Sequence, residues 1–330
     1  MAPLENSQSV NWNTDKESGF VAIHNRDIFL SAKGPPRRPG QPVIICEAGH
    51  GDSSYVWAAV QSKAGEFVRT FAYDRAGMGQ SHPGPSPRTA AAAARDLSDT
   101  LDEASILGPY ILVCHSYGGL LAREFLHVRN GDVAGIIFID TITEHYTSEN
   151  LLPMSEFGAV LGQLDYWDVI GMAKRHVLRP EEWEMVKKHW PNDEATSAAE
   201  ASSMPTTEQE LADKEQFERQ AMGHRPVVVI KGNATQDFKN ALDAGEAAGN
   251  GAGSQRATLR KFIATSEEVR ERHQREQLRL SSNSRYVVAR HGHHAVQFSE
   301  PELIVAEIKA MLESLSRQSA WQMRIDSDSQ

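Results

Sequence analysis

Cysteine is scarce in this chain, with two residues, Cys46 and Cys114, among 330. Both sit inside apolar runs that read as buried strands, which argues against a disulfide framework and suits a reducing compartment. Long hydrophobic runs are missing as well. Nothing approaches the roughly 18 consecutive apolar residues of a membrane span, and the opening MAPLENSQSVNWNTDKESG lacks the basic-then-apolar order of a secretory leader. A cytoplasmic protein with no membrane span is expected. Positive charge is also in short supply: 34 Lys and Arg against 44 Asp and Glu leave a net charge of −10. With a pI near 5.7 and no basic cluster, the chain is ill suited to a phosphate backbone. Nucleic acid is not expected as a partner, and no internal repeat is visible. The oligomeric state is not legible.

Hydrophobic residues make up 40% of the chain, enough for one large core or for a core with an inserted subdomain. Short apolar, β-rich runs recur at Val43 to Cys46, Phe67 to Tyr73, Tyr110 to Cys114, Gly135 to Ile139, Val227 to Ile230 and Tyr286 to Ala289. Helical patterns separate them, notably Thr89 to Ile106, Leu120 to Val128 and Pro301 to Leu312. Continuous apolar strands alternating with amphipathic helices predict an α/β fold: a mostly parallel sheet covered by helices on both faces. Phe20 to His24 and Asp27 to Ala32 flank Asn25-Arg26, which predicts an N-terminal hairpin beside that sheet.

Two stretches interrupt the alternation. Residues 143–222 are helical and Trp-containing, with no convincing strand, between two core strands. They predict an inserted helical cap whose apolar positions are Phe157, Leu161, Leu164, Trp167, Trp183 and Trp190. Ala244 to Ser254 (AGEAAGNGAGS) reads as a mobile Gly/Ala loop leading into a charged helix, Ser266 to Leu280. The expected organisation is a core of 1–142 and 223–317, the cap between them, and a flexible polar tail over 318–330.

The run Tyr110-Ile-Leu-Val-Cys-His-Ser-Tyr-Gly-Gly119 carries the chemistry. An apolar strand runs into Ser116, two glycines follow, and a helix begins. A nucleophile elbow needs this order, because the turn holds serine in a strained conformation and only small neighbours let strand and helix approach. The helix N-terminus there also aims free N–H groups at a developing oxyanion. Cys114 stands where the usual pentapeptide has its first glycine, and lies too deep in the strand to be the nucleophile itself.

The elbow has companions: Glu-Ala-Gly-His-Gly-Asp-Ser-Ser-Tyr-Val-Trp57, Tyr-Asp-Arg-Ala-Gly-Met-Gly-Gln-Ser81 and His-His-Ala-Val-Gln-Phe-Ser-Glu-Pro-Glu302. In this order they resemble successive signatures of the α/β-hydrolase superfamily, in its serine-esterase-like branch with an inserted cap, over residues 41–146 and 285–314. The resemblance implies backbone N–H donors to the oxyanion from Tyr117 and His50. It places the general base seven residues before Pro301, at His294, with His293 as runner-up. His291, His293 and His294 share one loop without a carboxylate or cysteine at ligand spacing, so no metal is expected. For the acid, Asp140 ends one core strand and Asp237 follows the next; both keep the order serine, acid, histidine, and Asp140 is favoured. Asp74 and Arg75 read as loop-ordering.

These readings predict a serine hydrolase without a cofactor that cleaves an ester-like bond of a hydrophobic small molecule through an acyl-enzyme. Serine at the elbow argues against the epoxide-hydrolase and dehalogenase branches, which need an aspartate there. A lactonase, thioesterase or cyclising acyl transferase is the alternative within catalysis. A non-catalytic small-molecule binding protein on the same fold is the alternative outside it.

Overall fold

The computed structural model describes residues 11–14, 17–149, 151–190 and 194–328. Residues 1–10 and 15–16 of the opening stretch, 150 and 191–193 of the expected cap, and 329–330 of the expected tail lie outside them. Eight strands form one sheet: β1 (Ser18–Ile23), β2 (Arg26–Lys33), β3 (Val43–Glu47), β4 (Thr70–Tyr73), β5 (Tyr110–His115), β6 (Val133–Ile139), β7 (Val227–Lys231) and β8 (Ser284–Val288). Their order is β1-β2-β4-β3-β5-β6-β7-β8, with β3 through β8 parallel and the β1–β2 hairpin antiparallel at one edge. The hairpin turn is His24-Asn25, at φ 48° and 62°, one residue earlier than the expected Asn25-Arg26. Two successive left-handed residues match the twist of the paired strands, and that geometry sets the register.

Successive strand residues point to opposite faces, and each face has its own core. Ile45, Leu112, Cys114, Ile136, Phe138 and Val229 pack on one side, with Leu97, Leu101 and Phe125 from α2 (Ala90–Glu103) and α3 (Gly118–Val128). Ile44, Cys46, Val113, Ile137 and Ile230 pack on the other, against Val60 of the short helix α1 (Ala58–Ala64). β5 is buried along its whole length at the sheet centre, where each large apolar side chain contributes about 1.5–3 kcal/mol. Cys46 and Cys114 are buried free thiols.

Among the described residues seven helices lie between β6 and β7: α4 (Tyr146–Glu149), α5 (Met154–Leu161), α6 (Tyr166–Val169), α7 (Met172–Arg175), α8 (Pro180–Lys188), α9 (Glu194–Ser202) and α10 (Met204–Ala212). Trp167 and Trp183 join the second core through edge contacts with Phe298 at 5.8 Å, so they tie the inserted helices to the sheet. Between β7 and β8 the expected Gly/Ala loop is mostly helical: α11 (Ala234–Ala247) and α12 (Gly253–Glu276) enclose only a short turn. Gly245 is tolerated in α11 because it faces the main chain of Val160, where a Cβ would stand 2.3 Å from the Val160 carbonyl oxygen. Phe157 and Val160 of α5 pack with Leu242 of α11 and Leu259 of α12, so the two insertions share one core. After the one-turn helix α13 (Val296–Ser299), the last helix, α14 (Pro301–Asp328), runs past Leu312 through most of the stretch expected to be a tail. Among the described residues no helix is long and apolar enough to cross a membrane.

Candidate active site

Ser116 follows β5 directly and sits at φ 53°, a left-handed conformation that a non-glycine residue holds only under local constraint. The constraint comes from the following pair. A Cβ on Gly118 would meet the Glu47 carbonyl oxygen at 2.6 Å, and one on Gly119 would meet Thr141 Cβ at 2.5 Å. Only two glycines let α3 start this close to β3 and to the end of β6. The Ser116 carbonyl accepts from Gly119 and Ile142 at 3.1 and 3.2 Å, which closes the turn.

The loop after β8 brings His294 to the serine, with Nε2 3.1 Å from Ser116 Oγ. Its Nδ1 lies 2.6 Å from Oδ2 of Asp140. Asp140 directly follows β6 at φ 44° and is 1% exposed. Its Oδ1 accepts from the Gly232 amide at 3.2 Å, and its Oδ2 also accepts from Arg270 Nη2 at 2.7 Å. Burial pushes this carboxyl upward, but the Arg270 guanidinium and the His294 hydrogen bond outweigh it, and its pKa falls well below the usual carboxylate range. An ionised Asp140 opposite Nδ1 keeps that nitrogen protonated and leaves Nε2 free to accept from Ser116.

Asp237 occupies the first turn of α11 and takes a different pair of partners. It bonds His293 Nδ1 and accepts from the His294 backbone N–H at 3.0 Å. Both candidate acids therefore touch the histidine loop, but only Asp140 reaches the His294 ring. Arg175 of α7 also reaches this loop, with Nη2 3.0 Å from His293 Nδ1. His291 is exposed, so the three histidines do not converge on one point.

The loop from Ala48 to Gly51 lies against Ser116: a Cβ on Gly49 would stand 3.3 Å from Ser116 Cβ and 2.8 Å from Asp52 Oδ2. Arg75, 2% exposed, holds this loop by donating to the Ala48 carbonyl at 2.8 Å and the Gly49 carbonyl at 2.7 Å. Gly49 C=O and His50 N–H belong to one planar peptide, so a cation on the carbonyl orients and polarises that N–H. Burial works against the Arg75 charge; Glu200 and Glu47 outweigh it and keep the guanidinium protonated. Glu200 comes from α9 and bonds Arg75 Nε at 2.8 Å. The His50 ring faces α9 too, with Nε2 2.8 Å from the Ser197 carbonyl oxygen. Asp74 orders the neighbouring turns by accepting from the amides of Ser54 and Gln80 at 2.6 and 2.9 Å.

His115, just before Ser116, is buried, and burial first, then the His294 charge, pushes its pKa down to about 3. As the neutral ring it donates from Nε2 to the His294 carbonyl at 3.1 Å and accepts at Nδ1 from Gln297 at 3.3 Å. The sequence assigned Arg270, Glu200 and His115 no role of their own. His115 lay inside the elbow motif, and Arg270 shares a helical face with Gln274 and Gln277, which both bond Thr141. Nothing local marks Glu200.

A model of the alpha/beta hydrolase family matches residues 43–307. The chain is 35% identical over 314 residues to "Probable transporter efuK" of Hormonema carpetanum, across 92% of this chain but 44% of that protein. It is 31% identical over 303 residues to the AB hydrolase superfamily protein of Gibberella zeae, across 88% of this chain and 92% of that one. It thus spans under half of the first relative and nearly all of the second. The solved enol-lactonase from Burkholderia xenovorans LB400 superposes with a TM-score of 0.58 at 14% identity, covering 89% of this chain and 100% of that one, a likeness of fold alone. Since the family match runs from β3 through the inserted helices and the histidine loop into α14, this chain belongs to the alpha/beta hydrolase family.

Proposed function

We propose that this hydrolase uses Ser116 as a nucleophile to cleave an ester-type bond of a hydrophobic small molecule, with residues 143–222 as its cap. The observation that carries this reading is the unbroken line from Ser116 Oγ through the His294 ring, at 3.1 Å and 2.6 Å, to Asp140. His294 Nε2 takes the Ser116 proton as Oγ attacks the carbonyl, and the imidazolium is stabilised by Asp140. The oxyanion accepts from the backbone N–H groups of Tyr117 and His50, each contributing about 3 kcal/mol in the transition state. His294 then protonates the leaving alcohol, and water activated by the same ring releases the acid from Ser116. An apolar substrate suits the aromatic inserted helices, where Tyr166 stacks on Trp190 at 5.5 Å.

Intact-mass labelling with a fluorophosphonate tests the reading. Wild type should gain one adduct, and Ser116→Ala, with an unchanged melting temperature, should gain none. A folded wild type that stays unlabelled would overturn the proposal and favour a binding protein on this fold.

A further inference from the structure

Asp140 Oδ2 carries an unusual load for one buried oxygen. His294 Nδ1 stands 2.6 Å away and Arg270 Nη2 2.7 Å away, both on the same atom. Arg270 is 7% exposed, and Asp140 is the one carboxylate paired with it among the described residues. The guanidinium is not there by chance of side-chain reach. Arg270, Gln274 and Gln277 fall at i, i+4 and i+7 on one face of α12 and the turn after it. Gln274 donates to the Thr141 carbonyl at 2.5 Å, and Gln277 Oε1 accepts from Thr141 Oγ1 at 2.5 Å. This face fastens α12 to the end of β6 and delivers a fixed cation to the carboxylate behind the histidine.

We infer that Arg270 is a positioning residue for the reaction proposed above, fixing Asp140 on the His294 ring and setting, by its charge, the pH at which the Asp140–His294 pair takes up a proton. The inference rests on the Ser116 hydrolase reading. A positive charge on the shared oxygen opposes protonation of the pair wherever the proton goes, to the imidazole or to the carboxyl. The base therefore stays free at lower pH than an unaccompanied aspartate–histidine pair would allow. The cation also weakens the pull of Asp140 on the imidazolium, so its gain in range carries a cost in basicity.

Among the other groups facing this pair, Asp52, 3.9 Å from the His115 ring and raised by burial to about 6, also titrates in the working range, and Asp237 accepts from the His294 backbone N–H at 3.0 Å; both are common to the three proteins compared below, so a difference between their profiles reports Arg270. His115 of β5 is driven down to about 3 by burial and by the His294 charge. Tyr146 of α4 and Tyr166 of α6, both of which feel Arg270, are pushed upward by burial. Glu267, one turn earlier on α12, is opposed by burial but held below its ordinary value by Lys231 of β7, to which it is bonded at 2.6 Å, with Thr235 and Arg270 adding to the shift.

The test is the pH dependence of the fluorophosphonate labelling rate for wild type, Arg270→Met and Arg270→Lys, from about pH 4 to 9, with melting temperatures recorded. Arg270→Met should move the acid limb upward by about 1 pH unit or more, the scale of one nearby charge. Arg270→Lys, which keeps the charge, should return it most of the way. An acid limb unmoved in Arg270→Met, with the rate merely scaled down at every pH, would overturn the inference and leave Arg270 a structural residue. If Arg270→Met does not fold, Arg270→Lys decides by itself: a limb shifted as far as 1 unit despite the retained charge overturns the electrostatic role, and a limb in place supports it. Failure of wild type to label at Ser116 would instead sink the hydrolase reading on which the inference stands.

Discussion

At Asp140 three donors meet one carboxylate: the His294 ring and Arg270 on Oδ2 and the Gly232 amide on Oδ1. At Asp237 the partners are the His293 ring and the His294 backbone. Only Asp140 meets the His294 ring, which favours it over Asp237 as the acid of the proposed reaction. Asp140→Asn should lower the Ser116 labelling rate and ester turnover by roughly 10³- to 10⁴-fold, because the amide favours the wrong imidazole tautomer. Asp237→Asn keeps an oxygen for the His294 amide and loses one charge-assisted bond, so its effect should stay within about tenfold. Stopped-flow labelling of the two variants checks this, and equal losses would contradict it. Ser116 was legible because the elbow needs a strand, a serine and two small residues in immediate succession. His294 was legible only through the family resemblance, which sets a histidine seven residues before Pro301. The partner of its ring was not, since two adjacent parallel strands, β6 and β7, both end near carboxylates, and which one reaches the ring depends on register and on the turn at φ 44°.

At the scale of elements, α9 is seated on the loop beside Ser116. Arg75 stands between Glu47 at 3.0 Å and Glu200 at 2.8 Å, and all three side chains are almost wholly buried. Removing one partner of a buried ion pair leaves a charge that burial penalises. Glu200→Ala should therefore cost about 3 kcal/mol of stability, and because Arg75 steadies the Gly49–His50 peptide, turnover should fall as well. Urea unfolding with the ester assay measures both, and a variant as stable as wild type would contradict this account of the α9 seat. The sequence could not show this contact, as Arg75 and Glu200 lie 125 residues apart. The Ala244 to Ser254 stretch misled for a related reason: glycine lowers helix propensity locally, but Gly245 sits where α11 packs on α5 and any larger residue would collide with Val160.

Across the whole molecule, the buried ionisable groups pull stability in opposite directions with pH. His115, driven down to about 3, refuses a proton that the unfolded chain accepts below about 6.5. Its contribution is complete above that pH and is lost as pH falls from there toward 3, at up to about 1.4 kcal/mol per unit. Asp140, held low, adds a loss as pH falls through the usual carboxylate range. Glu47 and Asp52, raised mainly by burial to about 7 and about 6, act the other way, since the unfolded carboxyls ionise first and stability is lost as pH rises from about 4 to 7. Calorimetry should show a smaller fall in melting temperature between about pH 6 and 4 for His115→Gln than for wild type. Glu47→Gln should show a smaller fall between about pH 5 and 7. Curves parallel to wild type in both variants would contradict these assignments.

The sequence by itself determined the α/β class, the run of parallel hydrophobic strands and the place of Ser116 in its turn, while His294 was singled out through the family resemblance. The first three depend on patterns within a few residues, where periodicity and the steric demands of a tight turn act. Tertiary structure alone decided that Asp140 rather than Asp237 meets the His294 ring, and that Arg270 and Glu200 stand behind the site. Those contacts join residues more than a hundred positions apart, and a buried charge finds its partner only when the packed sheet and helices bring the two together.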